Sequence, residues 1–105
     1  MLVLEFIIDK SNPNWVEGDN KYMYMLLSAA EAYFNDKHRL KGRVTLDEIL
    51  NYLEIPIPPG LGFYGWDKEF DGDKHIDFGF RDQIKPDQTD NIDRIFLRFN
   101  IPMDK

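Results

Sequence analysis

Residues 44–56 read Val44-Thr45-Leu46-Asp47-Glu48-Ile49-Leu50-Asn51-Tyr52-Leu53-Glu54-Ile55-Pro56. This stretch predicts a short helix, because it contains both a start signal and a stop signal. Thr45 and Glu48 have the spacing of a capping box, in which each side chain satisfies a backbone N–H of the other residue. Val44 and Ile49 occupy the two positions of a hydrophobic staple. Pro56 ends the helix because it lacks an N–H and restricts the residue before it.

A longer helix is predicted upstream of this unit. Asp19 is the expected N-cap and Gly42 the expected end, while residues 2–8, apolar and β-branched, predict a strand before it. The basic run 37–43 suits the C-terminal end of a helix dipole better than a phosphate site. The helical spacing predicts one broad core face made of Tyr22, Leu26, Ala29, Ala30, Tyr33 and Phe34, widened by Met23 and Leu27. The residues expected opposite that face are Lys21, Ser28, Glu31, Asn35 and Asp36.

Downstream of the short helix, an extended connector over 55–62 leads to two predicted strands at 64–68 and 75–80. Asp71-Gly72 between them predicts a hairpin turn. Ile76, Phe78 and Phe80 alternate with polar residues and are expected to face the core. Residues 81–93 predict a surface loop. In the last strand, the inward face is predicted to be Ile95, Leu97, Phe99 and Ile101.

Strands and helices are segregated along the chain, with a short extended piece at 43–44. This order predicts an α+β fold in which two helices pack on a small, mainly antiparallel sheet of about four strands. The length of 105 residues predicts a single globular domain over 1–105.

Composition excludes several classes of function. The chain has no cysteine, so disulfides, zinc–thiolate sites and thiol nucleophiles are excluded. Its 13 Lys and Arg against 19 Asp and Glu give a formal charge of -6, which disfavours binding to phosphate backbones. No apolar run reaches the length of a membrane span, and the N-terminal stretch lacks the basic region of a signal peptide. We therefore expect no nucleic acid and no membrane as partners, and a cytoplasmic location.

No catalytic residue, metal site or cofactor is predicted. A catalytic triad requires a serine beside a histidine in space. The sequence gives no sign of such a pair, because neither Ser11 nor Ser28 has a histidine near it along the chain. Residues 67–73 start like a calcium loop, but Lys74 and Phe78 occupy positions where such a loop needs an apolar residue and a bidentate Glu. A divalent site at Asp73, His75 and Asp77 is less favoured than a solvated strand face. The short helix also lacks the basic recognition helix of a helix-turn-helix protein.

Three aromatic residues, Phe63, Tyr64 and Trp66, follow the connector and are the candidate interaction residues. Tyr and Trp are enriched at binding hot spots. The competing interpretation, which we favour, is that they fill the core beneath the connector.

Residues 19–80 carry several features in a fixed order. The capping box at 44–48 precedes Leu53-Glu54-Ile55-Pro56, which is followed by Gly62, Gly65-Trp66 and Ile76-Asp77-Phe78. This order resembles the C-terminal domain of an uncharacterised phage and prophage protein family, a domain of unknown function. Glu54 stands where that family usually has Gly, and the hydrophobic N-terminal region of its longer members is missing. The resemblance implies a phage or prophage setting, in a bacterial host cell, and supplies no activity.

The leading functional hypothesis is a non-enzymatic accessory domain that binds another protein, encoded by a phage or its host, with self-association left open. One alternative is an acidic mimic of nucleic acid that occupies a host DNA- or RNA-binding protein. The other is a small enzyme with a carboxylate/His site.

Overall fold

The computed structural model describes residues 2–72, 75–87 and 92–102. Its elements follow the order β1 (Leu2–Asp9), α1 (Asn20–Lys41), β2 (Arg43–Thr45), α2 (Leu46–Tyr52), β3 (Gly65–Asp67), α3 (Lys68–Asp71) and β4 (Arg94–Ile101). The predicted α+β class is confirmed. The four strands divide into two antiparallel pairs, β1 with β4 and β2 with β3.

The pair β1–β4 joins the two ends of the described chain. Its register runs from Leu2 opposite Ile101 to Asp9 opposite Arg94. The inward face predicted for β4 is confirmed, since Ile95, Leu97, Phe99 and Ile101 are fully buried. On the other face, Glu5 accepts a hydrogen bond from Arg98 directly across the pair, at 2.8 Å.

Both predicted ends of α1 are confirmed. The Asp19 carboxylate accepts a hydrogen bond from the backbone N–H of Tyr22 at 2.9 Å, and Gly42 ends the helix in the left-handed conformation. His38, Arg39 and Lys41 lie in the last turn, where cations complement the helix dipole.

The predicted core face of α1 is wrong in part. Met23, Leu27, Ala30 and Phe34 are buried, but Tyr22, Ala29 and Tyr33 are exposed. Glu31, expected on the outer side, is buried instead. The helix is apolar over more of its circumference than the core can cover, and hydrogen bonds offset the burial of the Glu31 carboxylate.

The capping box of α2 is present. The Glu48 carboxylate accepts the backbone N–H of Thr45 at 2.7 Å and also binds the ammonium group of Lys37 on α1. Burial opposes ionisation of Glu48, but the hydrogen bonds from Lys37 and Thr45 outweigh it and hold the pKa of Glu48 below its ordinary value. Past the helix, Glu54 adopts a left-handed φ of 58°, the conformation that Gly would adopt without strain.

The hairpin predicted between 64–68 and 75–80 is wrong. β3 pairs with β2, Trp66 lying opposite Val44. Asp67 then caps α3 by accepting from the backbone N–H of Glu69, so the chain enters a helical turn where a hairpin was expected. Gly65 allows the close pairing, since a Cβ there would lie 2.1 Å from the carbonyl oxygen of Val44.

Residues 75–80 are irregular, yet their predicted alternation holds. Ile76, Phe78 and Phe80 are buried. The segment lies beside β4, because the backbone N–H of Arg98 donates to the carbonyl of Phe78 at 2.8 Å.

The surface loop predicted for 81–93 is attached to the fold at its start. Ile84 is buried. The Gln83 side chain donates to the carbonyl of Phe96 and accepts from its N–H, both at 2.7 Å, so it substitutes for a neighbouring strand. Residues 88–91 lie outside the described residues.

Candidate functional site

The three predicted interaction residues do not share one environment. Phe63 is 71% exposed, Tyr64 is half-buried against the core, and Trp66 is fully buried. The rings of Phe63 and Tyr64 lie 6.0 Å apart. Trp66 therefore belongs to the core, and of the three residues only Phe63 is mostly exposed to solvent.

A polar cleft of about 600 Å³ lies where α1 faces residues 75–82 and β4. Its lining residues are Glu31, His75, Asp77, Gly79, Arg81, Asp82 and Arg98. Sequence reasoning considered His75 and Asp77 for metal binding and catalysis, and the structure places both at this cleft. Glu31 and the two arginines were not predicted there, because long-range folding brings them together.

Glu31 is the buried centre of the cleft. Its carboxylate accepts one hydrogen bond from the Arg81 guanidinium at 2.5 Å and another from the backbone N–H of Phe78 at 2.9 Å. The Glu31 side chain is 5% exposed and that of Arg81 48%. Burial opposes the charge of Arg81, but its bond to Glu31 prevails and raises the pKa of the guanidinium. Arg81 also stacks over the Phe80 ring at 4.7 Å.

One helical turn further along α1, Asn35 fixes the same segment. Its amide oxygen accepts the N–H of Ile76 at 2.8 Å and its amide nitrogen donates to the Ile76 carbonyl at 3.0 Å. His75 lies within 3.4 Å of that amide nitrogen. Asp77 accepts the backbone N–H of Gly79. These bonds hold residues 75–80 against α1 and explain the polar lining in structural terms.

Both arginines that line the cleft form ion pairs. Arg98 is paired with Glu5, and Arg81 with Glu31, so both guanidinium groups are already neutralised. In the described part of the chain, Ser11 bonds to Asp9, the Ser28 hydroxyl has no partner, and neither serine bonds to a histidine. The described ranges also contain no group of three or more His, Asp or Glu able to hold a metal ion.

A second surface is apolar and runs along the outer side of α1. We call it the α1 stripe, and its members are Tyr22, Met25, Leu26, Ala29, Tyr33 and Leu40. Met25 is 57% exposed, Tyr33 53% and Leu40 69%. At the N-terminal end of the stripe lies an open groove of about 470 Å³, lined by Asp19, Lys21, Tyr22, Met25 and Leu26.

Aromatic packing gives the stripe a rigid centre. The Tyr33 ring stacks on Tyr52 of α2 with centroids 5.7 Å apart and planes within 16°. Phe34 contacts both rings edge-on from the core side, at 5.0 and 5.5 Å. Tyr33 and Tyr52 are thus held in place while about half of each side chain faces solvent.

The sequence pattern does not separate the stripe from the core face of α1, because both follow the same spacing. Apolar doublets recur along α1 as Tyr22-Met23, Leu26-Leu27, Ala29-Ala30 and Tyr33-Phe34. The second member of each doublet is buried, and the first member is exposed or half-buried. Sequence reasoning assigned both members to a single core face.

Among the helices within the described ranges, none combines the length and apolar character needed to cross a membrane. Comparison with curated proteins and with solved structures finds no match. A family model does match, from residue 5 to residue 105, and so extends well beyond the ordered features at 19–80. The match covers β1 from Glu5 onward, all of β4, the polar cleft and the whole of the α1 stripe, and the chain therefore belongs to a family of unknown function, DUF6353.

Proposed function

We propose that this chain is a non-enzymatic interaction module that binds another protein chain through the α1 stripe. The observation that carries the proposal is the line of exposed apolar side chains on a helix whose adjacent face already fills the core. Contiguous apolar surface of this kind costs solubility in a free monomer and marks interaction sites.

The composition of the stripe supports binding. Tyr and Met are enriched at the centres of protein interfaces, where they supply large contact area. Tyr33 and Tyr52 are already ordered by stacking, so little side-chain freedom is lost when a partner covers them. A partner would thus gain apolar contact at a small entropic cost.

The enzyme alternative is weaker on the same structure. A catalytic site needs a group free to take or give a proton within reach of a substrate. In the polar cleft, Glu31 is buried beneath Arg81 and bonded to the backbone of Phe78. These groups hold two parts of the chain together, which accounts for them without a reaction.

The mimicry alternative requires a continuous acidic surface. Cations interrupt the acids here, since ion pairs join Lys37 to Glu48, Arg39 to Asp36 and Arg98 to Glu5. We therefore place it below binding through the α1 stripe. The phage or prophage setting is part of the proposal and rests on the resemblance over residues 19–80, since the family match names no function.

Site-specific photocrosslinking in the native cells tests the proposal. A photoreactive amino acid is placed at Met25, on the stripe, and in a matched variant at Phe63, an exposed apolar residue outside α1. We expect a covalent protein adduct, to this chain or to another, from position 25 and not from position 63. Absence of an adduct at 25, or an adduct at 63 alone, would overturn the proposal.

A further inference from the structure

We infer that the partner of the α1 stripe is a second copy of this chain, bound with its own α1 antiparallel to the first. The inference rests on the function proposed above, because it names what covers the same surface. Three observations carry it: the spacing of the stripe, its self-complementary shape and the distribution of charge along α1.

The spacing selects a helix as the occupant. The half-buried Leu26 and the exposed positions of the same line follow a regular spacing: Tyr22, Leu26, Ala29, Tyr33, Asp36 and Leu40 are separated by 4, 3, 4, 3 and 4 residues. This is the alternation of a coiled-coil seam, in which side chains of one helix insert between those of the other. The seam spans roughly 27 Å at 1.5 Å per residue, most of the length of α1. Only Asp36 interrupts its apolar character.

The stripe is complementary to itself when two copies run antiparallel. Aligning the two ends of the seam places Tyr22 opposite Leu40 of the second copy and Ala29 opposite its Tyr33. A small side chain therefore faces a large one at the centre, and the symmetry repeats the contact. At the ends, Leu40 of the second copy, whose side chain is 69% exposed in the single chain, enters the groove between Tyr22, Met25 and Leu26.

Charge favours the antiparallel arrangement over the parallel one. The acids Glu17 and Asp19 lie just before α1, with the cation Lys21 in its first turn, whereas the C-terminal end carries the cations Arg39 and Lys41 and is followed by Arg43. Antiparallel pairing places each acidic end beside a basic end and opposes the two helix dipoles. Parallel pairing would bring the two basic ends together.

Asp36 limits the strength of the contact. It lies opposite Leu26 of the second copy, is exposed in the single chain, and is paired with Arg39 at 3.5 Å. A charged seam position lowers stability while fixing register. We therefore expect a dimer that dissociates on dilution.

Sedimentation equilibrium of the full chain, from about 10 µM to about 1 mM, measures the self-association. Ala29→Tyr is expected to raise the dissociation constant at least about tenfold, because two large rings then meet at the centre. The double variant A29Y/Y33A exchanges large and small side chains at the paired positions and is expected to recover the association. Phe63→Glu, a matched change of an exposed apolar residue outside α1, is expected to leave the dissociation constant unchanged. Thermal unfolding of each variant measures separately any loss of fold stability caused by disrupting the Tyr33–Tyr52 stack.

A single cysteine tests orientation, since the chain has none of its own. Ala32 lies beside the axis that relates two antiparallel copies, so Ala32→Cys is expected to form an intermolecular disulfide under mild oxidation. Met25→Cys is expected to form little, because residue 25 then faces Arg39 of the second copy. Equal crosslinking of both variants would indicate parallel helices and overturn the arrangement.

A monomer over the whole concentration range overturns the second copy as partner. So does a dimer that Ala29→Tyr leaves intact, since it must form through another surface. Neither result removes the proposed function, which fails only if position 25 gives no protein adduct in cells. The two proposals are thus tested separately.

Discussion

Replacing Arg81 by Met is expected to destabilise the fold more than replacing Glu31 by Gln. The reason is the difference in exposure between the partners, 5% for the Glu31 side chain and 48% for that of Arg81. Without Arg81, the buried carboxylate keeps only its bond from the backbone N–H of Phe78. Without the Glu31 charge, the guanidinium can be hydrated where it stands, and an amide oxygen can still accept from Phe78.

These differences set the magnitudes. Removing one partner of a buried pair costs about 3–5 kcal/mol, and the remaining bond to Phe78 places Arg81→Met near the lower end, at about 3 kcal/mol. Glu31→Gln loses a charge-assisted bond and costs about 1–2 kcal/mol. The double variant is expected to cost less than the sum, with a coupling of about 1–2 kcal/mol, because it leaves no uncompensated buried charge. Met preserves the aliphatic packing of Arg81 on Phe80.

Urea unfolding followed by far-ultraviolet circular dichroism measures these free energies, with constant m-values as the check on two-state behaviour. Arg94→Met is the matched control, because its side chain is 54% exposed and its partner Asp93 is 85% exposed. It should change stability by less than about 0.5 kcal/mol. The reasoning is refuted if Arg81→Met costs less than about 1 kcal/mol, or if Glu31→Gln costs more than Arg81→Met.

Three further perturbations test other parts of the fold. Gly65→Ala is expected to lower the free energy of unfolding in urea by about 2–3 kcal/mol, because its Cβ would collide with backbone. Gly60→Ala, with open space around it, should lower it by only about 1 kcal/mol, the strain of its positive φ. Equal losses would contradict the steric argument. Gln83→Leu should cost about 1–3 kcal/mol by leaving both backbone groups of Phe96 unpaired, and faster hydrogen exchange at the Phe96 amide would locate the loss. Glu48→Gln should flatten the acid limb of the stability curve: the folded-state pKa of Glu48 lies below the ordinary value of 4.5, so its contribution is present above that pH and is lost as the pH falls through the folded pKa. Chemical unfolding at a series of pH values checks this, and an unchanged acid limb would contradict it.

Elements fixed by local signals could be predicted from the sequence. The ends of α1 follow from Asp19 and Gly42, and the start of α2 follows from its capping box, whereas α2 already ends at Tyr52, before the predicted stop at Pro56. The buried face of β4 follows from its alternation. In each case the determining contacts lie within a few residues, so the sequence contains the whole argument.

The predicted hairpin failed because two signals competed within a few residues. Asp71-Gly72 is a strong turn pair, but Asp67 is also a helix cap, and the chain forms α3 before it reaches Gly72. The free edge of β3 then pairs with β2, and this pairing depends on Gly65 approaching the backbone of Val44. The requirement for Gly at position 65 comes from Val44, 21 residues earlier in the chain, and such a contact produces no periodic pattern in the sequence.

The polar cleft could not be predicted for a related reason. Glu31 and Asn35 satisfy backbone groups of the irregular segment 75–80, and Gln83 satisfies those of Phe96 on β4, much as strands satisfy each other in a sheet. Their partners lie 47, 41 and 13 residues away. Polarity in a sequence indicates exposure on average, and it fails where an irregular buried backbone needs acceptors and donors.

The α1 stripe shows a different limit of sequence-based prediction, because the periodicity predicts the helix but does not predict what covers each of its apolar faces. Two lines of apolar residues, offset by one position, follow the same 4-3-4 spacing: Tyr22, Leu26, Ala29 and Tyr33, and beside them Met23, Leu27, Ala30 and Phe34. A hydrophobic pattern specifies how much of a helix avoids water, and does not specify whether its own core or another chain covers each part. The core of this small domain covers one line, since Glu31 and Asn35 must turn toward residues 75–80 and thereby fix the rotation of α1. The other line then faces outward whatever its composition, so the polar bonds that hold the fold together also determine which apolar residues remain for a partner.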